Sequence, residues 1–168
     1  IPGSCGTAVG HMEVKIDSSD PENIAGEILA RGANVMLGYY KNEEATKEVL
    51  DDEGWYHTGD LGTMMADGHI FIRGRKKNML LSANGQNVYP EEIEAVVNNQ
   101  PYVIESVVVD RGARLAALVY MDTEKMKAEG VDPEAYKKTI MNEVNRSMPA
   151  YSKVNTVEIM DQPFEKTP

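Results

Sequence analysis

Hydrophobic and polar positions alternate over residues 11–17 (H-M-E-V-K-I-D), the period of a half-exposed strand. Residues 18–23 (S-S-D-P-E-N) carry the turn chemistry of a loop. Two short β-like runs follow at 26–30 and 34–39, separated by Arg31-Gly32-Ala33. Asn42 is placed to cap a helix over 43–50, with Glu43 and Glu44 in its first turn, where carboxylates favour the helix dipole. Asp51-Asp52-Glu53-Gly54 ends that helix. A strand pair is predicted at 60–65 and 69–74, joined at Asp67-Gly68, a strong hairpin signal. Residues 1–75 therefore read as a β-rich piece with one helix.

The rhythm then changes. Residues 79–82 and 86–88 look like short strands around Ala83-Asn84-Gly85. Pro90 suits the first position of a helix over 90–99, whose Ile93, Val96 and Val97 share one face. Residues 103–109 and 114–121 are strands joined at Arg111-Gly112. Asp132-Pro133-Glu134 opens a longer helix in which Tyr136, Ile140, Val144 and Met148 recur every four residues, and a last strand covers about 154–160. The fold class is α+β: a β-rich piece, then a small α+β part of about three strands with helices. The second part has the elements to close a core alone and is expected to be the better ordered.

The chain has 168 residues, of which 42% are apolar and 26% charged, the mix of a globular protein. Its net charge of -10 is divided evenly between residues 1–77 and 78–168. That acidity argues against nucleic acid and anionic membranes as partners. No apolar run is long enough to span a bilayer, and the reading expects no signal peptide. The one cysteine, Cys5, has no internal partner, so a reducing cytoplasm is the simplest setting. A start at Ile1 and a stop at Pro168, just after a turn-like Gln162-Pro163, lead to the expectation of a piece cut from a longer protein.

Three segments can carry chemistry. The first is Gly54-Trp55-Tyr56-His57-Thr58-Gly59-Asp60-Leu61, where a carboxylate follows a glycine at a strand start. A vicinal diol donates two hydrogen bonds, so a ribose suits Asp60; an ordinary turn with Asp60 bonding its own backbone is the plainer alternative. The second is Ile72-Arg73-Gly74-Arg75-Lys76-Lys77, at the composition change. Arg75 can hold a phosphate or a ribose edge through its rigid fork, and Lys77 can act as a hinge; a basic linker explains both equally. The third runs from Ser82 to Glu94, where Gly85 fits either a narrow channel past the backbone or a tight turn. Elsewhere signals are weak. His11, His57 and His69 are scattered without zinc-site spacing, and G-x-S-x-G, Walker A, G-x-G-x-x-G and EF-hand patterns are all missing. The ten methionines and Trp55, Tyr56 and Tyr89 read as packing residues.

In this order and spacing the segments resemble the adenylate-forming superfamily of acyl-CoA synthetases, luciferases and peptide-synthetase adenylation domains. Gly26-Glu27-Ile28 and Val35-Met36-Leu37-Gly38-Tyr39-Tyr40 look like its G-E-(apolar) and G-Y segments. Tyr56-His57-Thr58-Gly59-Asp60-Leu61 looks like its Y-x-T-G-D-L motif, and Gly74-Arg75-Lys76-Lys77 like its hinge. Asn87-Val88-Tyr89-Pro90 and Glu92-Ile93-Glu94 look like its N-V-Y-P-x-E-I-E segment, whose form points to acyl-CoA synthetases, in overall style most similar to long-chain fatty-acid–CoA ligases.

The resemblance implies that a carboxylic acid attacks the α-phosphate of ATP with Mg2+, and that the thiol of coenzyme A then displaces AMP. It makes 1–76 the end of the large adenylating domain and 77–168 a mobile C-terminal domain. Asp60, Ile72 and Arg75 would contact ATP or AMP, Lys77 would be the hinge, and Gly85 would line the coenzyme A channel. The adenylation lysine is expected beyond Pro168, so Lys166 receives no catalytic role and the fragment alone is expected to be inactive. The alternative from another class is a free-standing nucleotide- or CoA-binding regulatory module.

Overall fold

A computed structural model describes residues 1–82, 84–112 and 114–166. Ala83 of the third segment, and Thr167-Pro168 at the break before the expected lysine motif, lie outside the described residues. The chain divides into two compact units, Ile1–Lys77 and Asn78–Pro168.

The first unit is an antiparallel sheet of four strands in sequence order: β1 (Met12–Asp17), β2 (Gly26–Gly32), β3 (Tyr56–Met64) and β4 (Ile70–Arg75). Helix α1 (Glu43–Val49) lies between β2 and β3, and the side chain of Asn42 accepts from the Ala45 N–H at 3.0 Å, as its cap chemistry predicts. Strands β3 and β4 are joined by residues 65–69, with Gly68 at φ +86° and Asp67 accepting from the His69 N–H. Its small core gathers Ile16, Ile28 and Ile70, with Val14 and Met64 against them. Apart from that cluster, Trp55 is 6% exposed; Lys15 Nζ stands 4.1 Å and Arg31 Cζ 4.4 Å from its ring centre.

Two expectations fail in this unit. The run 34–39 is not a strand. The Val35 N–H closes a turn onto the Gly32 carbonyl, Gly38 sits at φ +145°, and the Tyr39 N–H donates to Thr46 Oγ1. Two of its N–H groups are thus bonded locally rather than to a neighbouring strand, and Leu37 and Tyr40 are exposed. Strand β3 also begins at Tyr56 rather than 60. Ladder pairs Ala30–Tyr56 and Leu29–His57 extend it through the stretch read as a turn, which the left-handed Gly59 (φ +72°) accommodates.

The second unit opens with a 3-10 turn (Lys76–Asn78 straddles the boundary) and a two-strand ribbon, β5 (Leu80–Leu81) and β6 (Asn87–Val88). Helix α2 (Pro90–Asn98) follows, with Ile93 and Val97 fully buried. Strands β7 (Val103–Asp110) and β8 (Leu115–Met121) pair antiparallel, and β9 (Val154–Ile159) joins β8 in parallel. Between β8 and β9 lie α3 (Thr123–Ala128), absent from the sequence reading, and α4 (Pro133–Ser147). Asp132 caps α4 through the Ala135 N–H at 3.0 Å, and Pro133 fills the first position, where its missing N–H costs nothing. Ile140 and Val144 of α4 meet Ile93, Val97, Val119 and Val157 in one contiguous core. The α+β class holds, with the expected three-stranded sheet in the second unit.

Candidate functional site

The first unit builds its site where β3 meets β4. Asp60 is in register with Arg75, and Arg75 Nε donates to Asp60 Oδ1 at 3.0 Å. Leu61 then faces Gly74, and Gly62 faces Ile72, so the extra residue Arg73 is taken up by a bulge. Alternation along β3 puts the Asp60–Arg75 and Gly62–Ile72 pairs on one face of the ladder. The sequence-predicted Asp60, Ile72 and Arg75 therefore come together: an oriented carboxylate at 30% side-chain exposure, an arginine fork, and an apolar side chain that is 57% exposed. The Asp60 N–H donates to Thr58 Oγ1 at 3.1 Å, and that hydroxyl donates to the Ile28 carbonyl at 2.7 Å, which pins the turn before the carboxylate.

Beneath this turn lies a group to which sequence reasoning gave no role. Glu27 of β2 is 7% exposed and collects three donors. Lys76 Nζ and His57 Nδ1 reach its Oε2 at 2.9 and 3.1 Å, and the Gly59 N–H reaches Oε1 at 3.1 Å. Burial pushes the carboxyl up, but the Lys76 ammonium, the His57 ring and the Gly59 N–H together outweigh it and hold it below its ordinary value. His57 also faces Asp51, whose Oδ2 lies 3.6 Å from Nε2. The signal for this cluster was a carboxylate inside the apolar run Gly26-Glu27-Ile28-Leu29-Ala30, where a charge stays ionised only with partners.

Lys77 is the last residue of the first unit and lies in the 3-10 turn that leads out of β4. Gly85 belongs to the second unit, in the ribbon turn between β5 and β6. It takes φ +75°, and its N–H donates to the Ser82 carbonyl at 2.9 Å. Ser82 Oγ accepts from the Gln86 N–H at 2.9 Å and so braces the same turn. A β-carbon added at Gly85 would meet nothing within 4 Å, so backbone conformation rather than packing in this unit calls for glycine. Beside the ribbon is a cleft of about 460 Å³ lined by Leu80, Ser82, Asn84, Tyr151, Lys153 and Asn155 among others. Among the described residues no helix is long and apolar enough to cross a membrane, and no three His, Cys, Asp or Glu side chains converge as metal ligands would.

A four-stranded meander followed by a small α+β unit is the fold of the adenylate-forming enzymes. O-succinylbenzoate coenzyme A synthetase from Bacillus subtilis, solved in complex with AMP, matches 98% of this chain at a TM-score of 0.81 and 24% identity, the chain covering 33% of that structure. The chain belongs to the family described as AMP-binding enzyme C-terminal domain, which matches residues 77–168. CoA ligases are among its curated relatives. The 2-succinylbenzoate–CoA ligase of Bacillus cytotoxicus is 38% identical over 112 residues, 65% of this chain and 23% of that protein. The chloroplastic long-chain-fatty-acid–[acyl-carrier-protein] ligase of Arabidopsis thaliana is 33% identical over 185 aligned positions, 98% of this chain and 25% of that protein. The chain thus spans about a quarter of the length of these curated relatives.

Proposed function

We propose that the chain is the C-terminal portion of a cytoplasmic, AMP-forming acyl-CoA synthetase that activates long-chain fatty acids through an acyl-adenylate. The observation that carries this reading is the Asp60–Arg75 pair, set beside an exposed Ile72 and two residues before the end of the first unit. Asp60 accepts from both ribose hydroxyls of ATP, since Arg75 fixes one oxygen and orients the other. Ile72 gives the nucleoside an apolar contact, and the remaining donors of Arg75 face the phosphate side. Lys77 is the pivot about which residues 77–168 turn against the large domain ending in 1–76, so that one site serves both half-reactions. Gly85 then lines the path of the coenzyme A pantetheine. The lysine that stabilises the adenylation step lies beyond Pro168, and residues 1–168 alone are inactive.

Magnesium enters with ATP in this reading. Asp60 is already engaged by Arg75, and the described residues do not fit as a metal site, so no step runs through the ion. The long-chain assignment rests on the Arabidopsis relative, which aligns with nearly the whole chain.

The test is AMP release by the intact enzyme across carboxylic acids from acetate to palmitate, with coenzyme A or an acyl carrier protein as thiol. Release that rises with chain length and requires coenzyme A is expected. A preference for short or aromatic acids removes the long-chain assignment, a strict need for the carrier protein removes the coenzyme A assignment, and no acid-dependent AMP removes the synthetase. In the same enzyme Asp60→Ala is expected to raise the KM for ATP about 10- to 100-fold, the loss of charge-assisted hydrogen bonds.

A further inference from the structure

Glu27 is a buried carboxylate for which the reaction above has no use. It is 7% exposed, yet it holds an ammonium, an imidazole and a backbone N–H at 2.9–3.1 Å. Its donors are not local: they come from β3 and from the residue after β4, and all converge from the sequence side that carries Asp60 and Arg75. The contact with Gly59 matters most. Gly59 adopts φ +72° immediately before Asp60, and a β-carbon there would meet nothing within 4 Å. The segment is held from two sides: Thr58 Oγ1 takes the Asp60 N–H, and Glu27 Oε1 takes the Gly59 N–H. The Lys76 contact ties the same carboxylate to the chain one residue before Lys77.

Resting on the nucleotide reading of Asp60, we propose that Glu27 is a positioning residue: through Gly59 it sets the turn that aims the Asp60 carboxylate at the ribose diol. The Lys76 ammonium supplies the positive charge that keeps Glu27 an acceptor, and the His57 ring nitrogen stands beside the same oxygen. A glutamine at this position would turn a donor amide toward Lys76 and His57, or turn it toward the Gly59 N–H. Either orientation sacrifices one side of the arrangement. The effect falls on ATP binding and leaves the thiol and acid sites alone.

Steady-state kinetics of the intact enzyme test this with Glu27→Gln, Gly59→Ala, the double variant and Asp60→Ala. Glu27→Gln and Gly59→Ala are each expected to raise the KM for ATP about tenfold, with KM for coenzyme A and for the acid changed less than about twofold. Because both act on one turn, the double variant is expected to be no worse than the worse single one. A fall in kcat with an unchanged KM for ATP makes Glu27 merely structural and overturns the proposal; so do effects that multiply in the double variant. If Glu27→Gln does not fold, Gly59→Ala decides alone, and an unchanged KM for ATP in it overturns the proposal. Asp60→Ala separates the two levels. A raised KM there beside an unchanged one in Glu27→Gln removes only the positioning role, whereas an unchanged KM in Asp60→Ala removes the ribose site and this inference with it.

Discussion

Glu27 is buried and Glu94 half-buried, yet their carboxyls move in opposite directions. For Glu27 the surrounding donors outweigh burial, and a carboxyl held below its ordinary value stabilises the fold above that value. The contribution is lost as pH falls through the lowered folded value, so the stability gap between the native protein and Glu27→Gln should narrow on acidification below about pH 4.5. Glu94 is the reverse case. Burial raises it, against the Val108 N–H that donates to Oε1 at 2.7 Å, and Glu91 raises it further. A raised carboxyl costs stability once pH exceeds the ordinary value. Glu94→Gln, which keeps the acceptor for Val108, is expected to raise the melting temperature near pH 7 and leave it unchanged near pH 4. At Gly85 the positive φ separates two roles: Asn tolerates that conformation and Ala does not. In the intact enzyme Gly85→Asn should keep the melting temperature within about 1 °C of native while slowing thioester formation about tenfold or more, and equal thioester rates would remove the channel role. At this scale Asp60 and Arg75 were visible as residue types, since a carboxylate after glycine and a fork after glycine are local patterns. Glu27 acquires its meaning from His57, Gly59 and Lys76, which lie 30, 32 and 49 positions away and which a linear reading does not bring near.

Among the elements, those with their own stop and start chemistry were legible. Helices α2 and α4 announce themselves by Pro at the first position, acids in the first turn and a four-residue apolar recurrence. Asp132→Ala should cost about 1 kcal/mol in chemical denaturation, the worth of an N-cap. Helix α3 has the same kind of cap, with Asp122 accepting from the Lys125 N–H, but it is six residues long and buries only Met126, too little for a period to emerge. Residues 34–39 show the converse: a short β-like run suggested a strand, and Gly38 and Thr46 turned the backbone into a loop instead. Strand β9 is held at its start by a side chain acting as a ladder. Asn145 of α4 accepts from the Val154 N–H at 2.8 Å and donates to its carbonyl at 2.9 Å. Asn145→Ala leaves both groups without that partner and is expected to cost about 2 kcal/mol, read in the same denaturation experiment.

Across the whole molecule the two units are unequal. The second closes a core from α2, α3, α4 and its sheet, while the first gathers only three buried residues in its cluster. The change of rhythm after residue 75 falls close to the division between Lys77 and Asn78. The parallel pairing of β8 and β9 was not, because strand order depends on contacts that span α3 and α4. Limited proteolysis of the 168-residue chain should remove the first unit and leave a resistant product from the second; survival of the first alone would contradict the difference in cores.

The buried Trp55, between Lys15 and Arg31, is the only tryptophan in the chain. Its emission belongs to the first unit, while the second unit's aromatic residues are tyrosine and phenylalanine. A denaturation curve followed at tryptophan wavelengths is therefore the melting record of one unit, and circular dichroism of the helices is mainly that of the other. The molecule carries an optical label for its own first unit, placed there by the ring that two cations cover.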